Sequence, residues 1–153
     1  QITPETERIV IERSFGKFYG LAGVRLGFAV TGTGLAERLT AFTGPWAVSG
    51  PAIAVGQTAL ADPIWHARTC KRLARETARM DALAATAGWG LVGGTALFRT
   101  YATPDARAAQ DHFAGRRIWT RRFPYSDTWL RLGLPGRTAH WARVEAALTR
   151  PAE

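Results

Sequence analysis

SFGKFYGLAGVRLG, residues 14–27, is the stretch on which the reading of this chain turns. It is a glycine-rich turn holding one lysine, Lys17, between two apolar runs, RIVIER at 8–13 and LGFAVTG at 26–32. Short β-branched runs bounded by glycine read as buried strands, so Lys17 is expected just past a strand end, at the edge of a sheet. A flexible cation between buried strands is costly to accommodate without a partner, which makes Lys17 a candidate functional residue. Lysine is also scarce: of 20 basic residues only Lys17 and Lys71 are lysine, the rest being arginine. Two nucleotide motifs fail here. Phe18 follows Lys17 where a P-loop needs Ser or Thr, and Glu37 stands where a dinucleotide fingerprint beginning at Gly32 and Gly34 needs its third glycine.

The spacing of Ser14, Lys17 and Arg25, S-x-x-K-x-x-x-x-x-x-x-R, resembles the lysine segment of fold-type-I pyridoxal-phosphate enzymes, the class I/II aminotransferase superfamily. The resemblance implies that Lys17 forms a Schiff base with the aldehyde of pyridoxal 5'-phosphate, while Ser14 and Arg25 hold the cofactor phosphate. Those roles are chemically apt. A hydroxyl and an arginine fork suit a dianionic phosphate, and lysine amines become nucleophiles in desolvated, cationic surroundings. The context G-L-A-G-V-R-L-G is similar to the histidinol-phosphate aminotransferase branch. Within it, GPWAVSGP (44–51), GGTALFR (93–99), RRFP (121–124) and WLRLGLPG (129–136) resemble the cobalamin-pathway threonine-phosphate decarboxylases, the likeness extending over residues 8–150.

That resemblance implies a substrate, L-threonine O-3-phosphate, and a product, (R)-1-amino-2-propanol O-2-phosphate. It also assigns Arg131 to the substrate α-carboxylate and Arg121 to the substrate phosphate. If 118–123 is a strand, Arg121 and Arg122 point to opposite faces, so one of the two is expected to face the site. The implied fold is α/β, the C-terminal part of a fold-type-I transferase: the last strands of the large-domain sheet plus the small α/β sandwich domain. Residues 1–33 are then the end of the large cofactor-binding domain, 34–88 connecting helices with a long interdomain helix, and 89–153 the small domain. Relatives of this kind are longer homodimers. Their N-terminal part carries the aspartate that meets the pyridine nitrogen, so this chain is expected to be an incomplete portion, inactive by itself.

Outside the lysine segment, periodicity predicts helices over 35–44, from about 50, and over 63–87, the last closed by Gly88 as a C-cap. Ile64, Leu73, Met80 and Leu83 are its expected apolar contacts. Beyond it the pattern reads β-β-α-β-β-α: strands at 89–94 and 95–102, a helix at 104–115, strands at 118–123 and 128–134, and a helix at 138–150. This predicts a small sheet with helices on one face. Trp65, Trp89, Trp119 and Trp141 are expected to pack between helices and sheet, and Tyr19 to pack near Lys17. Trp46 and Ser49 sit in a Gly/Pro-bounded loop that could line an entrance. Cys70 is read as a small apolar helix residue, and Arg99 as a solvated one.

At 153 residues, 46% apolar and 21% charged, the chain has globular composition. No apolar run of membrane-spanning length and no secretory signal occurs, and one cysteine points to a reducing, cytoplasmic setting. His66, His112 and His140 are too dispersed for a shared metal, so no metal site is expected. The +8 charge is scattered and lacks interleaved aromatics, so neither nucleic acid nor membrane is the expected partner. A small phosphorylated amino acid is. Three readings stay open: the decarboxylase, a histidinol-phosphate-type aminotransferase with the same lysine and arginines, and a non-catalytic basic binding module.

Overall fold

A computed structural model describes residues 9–149, which divide into two compact units between Ile64 and Trp65. In the first unit, β1 (Ile11–Ser14) and β2 (Gly27–Val30) form an antiparallel two-stranded sheet, with Ser14 opposite Gly27. A single 3-10 turn, Ala22–Val24, lies between them, followed by α1 (Thr33–Thr43) and α2 (Gly50–Leu60). The Ser49 side chain caps α2 by accepting from the Ala52 N–H at 3.4 Å. The core of this unit is small: Phe15, Leu26 and Ala52 are buried, with Tyr19, Leu21 and Val24 packed against them.

The expectation of two buried strands is not met. Every residue of β1 and β2 is exposed, including Ile11 and Phe28, because a two-stranded sheet offers each face no second layer among the described residues.

The second unit begins in α3 (Pro63–Thr86), the longest helix. Its end is a Schellman motif: Gly88, at φ +77°, donates to the Ala85 carbonyl at 3.0 Å, and Trp89 donates to that of Ala84 at 2.9 Å. Only a residue without Cβ takes that φ at no cost, so the predicted glycine stop is the actual one. Strands β3 (Gly90–Gly94), β4 (Phe98–Ala102), β5 (Arg121–Phe123) and β6 (Ser126–Gly133) form a fully antiparallel sheet ordered β3-β4-β6-β5. Two strands are shorter than their apolar runs suggest. Thr95 to Leu97 is spent on a turn closed by the Thr95 N–H donating to the Phe98 carbonyl at 2.8 Å, and β5 begins only at Arg121.

Helices α4 (Ala106–Gly115) and α5 (Thr138–Thr149) complete the unit, α4 being capped by Asp105, whose carboxylate accepts from the Arg107 and Ala108 N–H groups. The helices share one core with one face of the sheet: Met80 and Ala84 of α3, Phe113 of α4, Trp141 and Val144 of α5, against Tyr101, Leu130 and Leu132. Phe113→Ala removes a ring that is 1% exposed at the centre of that core and is expected to cost about 3–5 kcal/mol in urea unfolding. Trp89 and Trp141 pack as expected. Trp119, in the irregular stretch before β5, is 85% exposed, and Ile64 and Trp65 at the start of α3 are also exposed.

Candidate active site

The lysine segment is built on Phe15. Its ring, 3% exposed, stacks on Tyr19 at 4.4 Å and meets Phe28 at 5.7 Å. The Phe15 N–H donates to the Leu26 carbonyl at 3.2 Å and its carbonyl accepts from the Leu21 N–H at 2.9 Å, so the loop is closed at its root. Lys17 stands at the top of that loop, where its carbonyl accepts from the Gly20 N–H at 3.0 Å. Its side chain is exposed, not held between buried strands as its sequence context suggests, since the strands beside it are not covered by any described residue.

Ser14 and Arg25, eleven residues apart in sequence, line one cavity of about 390 Å³ together with Gly16, Gly27 and Glu12. Lys17 is outside that lining. The Ser14 Oγ accepts from the Gly16 N–H at 3.1 Å, which leaves its own proton to donate. Arg25 donates one N–H to the Ala22 carbonyl at 3.1 Å, leaving the rest of its fork available. Its backbone lies at φ +56°, a left-handed conformation that a side chain rarely adopts and that persists where surrounding structure enforces it. A Cβ on Gly27 would lie 3.1 Å from the Arg13 carbonyl, so the wall beside Ser14 is kept as bare backbone. One hydroxyl and one guanidinium on a glycine-walled hollow is a donor set that fits a phosphate group.

The second unit carries the arginine pair. Arg121 of β5 and Arg131 of β6 are directly opposite each other in register, so both project from the sheet face away from the helices. Arg122, one residue on, lies on the helix face, where its Nε donates to Gln110 of α4 at 2.9 Å. The strand alternation thus separates the two: Arg121 shares a face with Arg131 and Arg122 does not. Arg131 lies 4.7 Å from the centre of the Phe98 ring and Arg121 5.9 Å from that of Phe123. Among the described residues neither has a carboxylate partner. Like charges directly opposite in a sheet are destabilising, and the pair stands beside a cavity of about 560 Å³ that is also lined by Phe98, Trp119 and Thr120 and, at the sheet edge, by Arg122 and Gln110. Such a face attracts an anion.

Arg99 is not solvated as the sequence suggests. It faces the helices opposite Leu132 and makes a bidentate pair with Asp81 of α3, Nε to Oδ1 at 2.9 Å and Nη2 to Oδ2 at 2.6 Å, while the Tyr101 hydroxyl donates to the same Oδ1 at 2.6 Å. Burial by itself would raise the Asp81 carboxyl; the Arg99 and Tyr101 hydrogen bonds and the Arg99 charge outweigh it and hold the group below its ordinary range. Burial, reinforced by the carboxylate, pushes the Tyr101 hydroxyl up. This triad ties α3 to the sheet and has no open face toward the arginine pair. Asp81→Asn is expected to cost about 2 kcal/mol at neutral pH. Because the carboxyl is held down in the fold, that stabilisation is complete above the unfolded carboxylate pKa of about 4 and fades as pH falls through the folded value. Melting curves of wild type and variant should converge in acid.

Cys70 is exposed, its Sγ 3.8 Å from His66 Nδ1, not an apolar contact of its helix. His112 is a structural residue, its Nε2 2.9 Å from the Ala147 carbonyl. Trp46 is 91% exposed in the loop before α2. No described helix is long and apolar enough to cross a membrane.

The chain matches the Aminotransferase class I and II family over residues 1–147. It is 44% identical over 140 residues to a threonine-phosphate decarboxylase of Pseudomonas aeruginosa, covering 92% of this chain and 42% of the relative. To one of a Sinorhizobium species it is 41% identical over 142 residues, 93% of this chain and 42% of the relative. A histidinol-phosphate aminotransferase of Archaeoglobus fulgidus is 31% identical over 80 residues, 52% of this chain and 23% of the relative. Among solved structures, the L-threonine-O-3-phosphate decarboxylase of Porphyromonas gingivalis superposes with a TM-score of 0.73 at 23% identity, over 94% of this chain and 46% of that one. The chain therefore spans about two-fifths of the length of the decarboxylases it matches.

Proposed function

Since the chain belongs to the aminotransferase class I and II family, we propose that it supplies the lysine and the substrate arginines of a pyridoxal-phosphate-dependent threonine-phosphate decarboxylase. The observation that carries the substrate class is the pair Arg121 and Arg131, opposed on one open face without a carboxylate partner among the described residues. L-Threonine O-3-phosphate presents two anions, a carboxylate and a phosphate, and two arginine forks are their natural receptors. The choice of decarboxylation over transamination is supported by likeness to the two decarboxylases over nearly the whole chain, where the histidinol-phosphate aminotransferase aligns over about half.

In this reading Ser14 and Arg25 bind the cofactor phosphate, and Lys17 is the residue of covalent attachment. The bound cofactor supplies the electron sink that stabilises negative charge at the substrate Cα. Arg131 binds the α-carboxylate and Arg121 the phosphate, and together they fix the rotation of the substrate about its Cα. That rotation decides which bond at Cα breaks, the bond to the carboxylate or the bond to hydrogen. Lys17 Nζ would hold the cofactor and, once freed, would be the group that returns a proton to the substrate Cα. The same reading makes the working enzyme a cytoplasmic homodimer. In it residues 1–33 are the end of the large cofactor-binding domain, 34–88 the connecting helices and 89–153 the small domain.

Product analysis of the full-length protein with pyridoxal phosphate and L-threonine O-3-phosphate tests this reading. Carbon dioxide and 1-amino-2-propanol O-2-phosphate in equal amounts, without any 2-oxo acid, are expected. Amino-group transfer to 2-oxoglutarate without carbon dioxide would make it an aminotransferase, and phosphate binding unaffected by Lys17→Ala with no turnover would leave a binding module.

A further inference from the structure

β5 is a poor platform for a functional arginine. It is three residues long and lies at the edge of the sheet, where among the described residues it pairs only with β6. Its register with β6 breaks between Arg122 and Phe123, and it follows a stretch without regular structure at 118–120. Arg121 also faces the like charge of Arg131 across the strand pair. A frayed edge would let Arg121 swing into solvent, the direction in which the repulsion pushes it.

One side chain opposes this. Gln110 of α4 reaches the edge from the helix side, its Nε2 donating to the Thr120 carbonyl at 2.9 Å while its Oε1 accepts from Arg122 Nε at 2.9 Å. The orientation of the amide is forced, since a carbonyl only accepts and a guanidinium only donates. A single amide therefore grips the residues immediately before and after Arg121 without bonding Arg121 itself, at the rim of the cavity that Arg121 and Arg131 line. Thr120 is 3% exposed and its hydroxyl has no hydrogen-bond partner among the described residues, so the bond from Gln110 is the side-chain tie that holds this buried residue down. No other residue type of that length can do both tasks: Glu lacks the donor for Thr120, Lys the acceptor for Arg122, and Met both.

We propose that Gln110 is a positioning residue for the phosphate of the substrate, acting through Arg121. Resting on the assignment of Arg121 to that phosphate, the proposal adds a requirement on α4: the helix sets the spacing of the two arginines and with it the length of substrate that bridges them.

The test uses the full-length protein and two readouts, inorganic phosphate binding followed by the fluorescence of exposed Trp119, and KM and kcat for L-threonine O-3-phosphate. Gln110→Met is expected to weaken phosphate binding and raise KM by about tenfold, with kcat within about twofold. Gln110→Glu, which keeps the acceptor for Arg122, should fall between. In an Arg121→Ala background neither variant should change binding or KM further, because the residue they position is gone. Equal losses with and without Arg121 would overturn the proposal, Gln110 then acting on the fold or on the phosphate directly from the cavity wall, and unchanged binding in Gln110→Met would overturn it outright. If Arg121→Ala itself binds phosphate normally, the assignment of Arg121 fails and the proposal with it. If phosphate binds as described but the substrate is not turned over, the decarboxylase reading fails while the role of Gln110 at Arg121 is still decided by the binding series.

Discussion

Full-length protein carrying Lys17→Ala is expected to lose kcat for L-threonine O-3-phosphate by about 10⁴-fold or more, with the melting temperature of its cofactor-free form unchanged. Both halves follow from where Lys17 stands. Its amine is the only group in the lysine segment able both to hold the cofactor covalently and to move a proton, so nothing nearby substitutes for it. Its side chain, however, is exposed at the top of a loop whose fold depends on Phe15, Tyr19 and backbone bonds at the loop base, none of which the substitution touches. Rates from quenched product assays and melting curves read the two separately. A fall in the melting temperature of the cofactor-free form alongside the lost rate would mean that the lysine holds the turn together.

Arg131→Ala should lower kcat/KM by about 10³-fold, the loss of a bidentate charge-assisted pair worth about 4 kcal/mol. Arg131→Lys should recover little of it, since an ammonium offers no planar fork to a carboxylate and stacks less well on Phe98. Stability should move the other way or not at all. Arg131 makes no ion pair among the described residues and faces Arg121, so its removal relieves a repulsion. A surface arginine without function would leave kcat/KM within about twofold, and one needed for folding would lower the melting temperature.

What could be read from the sequence was local. Ser14, Lys17 and Arg25 are legible because their spacing is a property of one loop, and the structure brings the first and last of them onto one cavity. The helix stop at Gly88 and the β-β-α-β-β-α order of the second unit are legible for the same reason, since each is set by neighbours in sequence. Alternation states that Arg121 and Arg122 diverge, but which one joins Arg131 depends on the register with β6. The Arg99–Asp81–Tyr101 triad and the Gln110 grip join residues 10 to 20 positions apart on different elements, and no spacing announces them. The apolar runs at 8–13 and 26–32 mislead about burial because hydrophobicity records what a strand can cover, not whether a second layer is there to cover it.

The most direct test of the account is the site of cofactor attachment. The chain has two lysines, Lys17 in the glycine-rich loop and Lys71 on α3, so borohydride reduction of the full-length protein loaded with pyridoxal phosphate, followed by peptide mass spectrometry, distinguishes them cleanly. The account predicts the pyridoxyl group on Lys17, one per chain, and its displacement by L-threonine O-3-phosphate added before reduction. A label on Lys71, or none on either lysine of this chain, would contradict it.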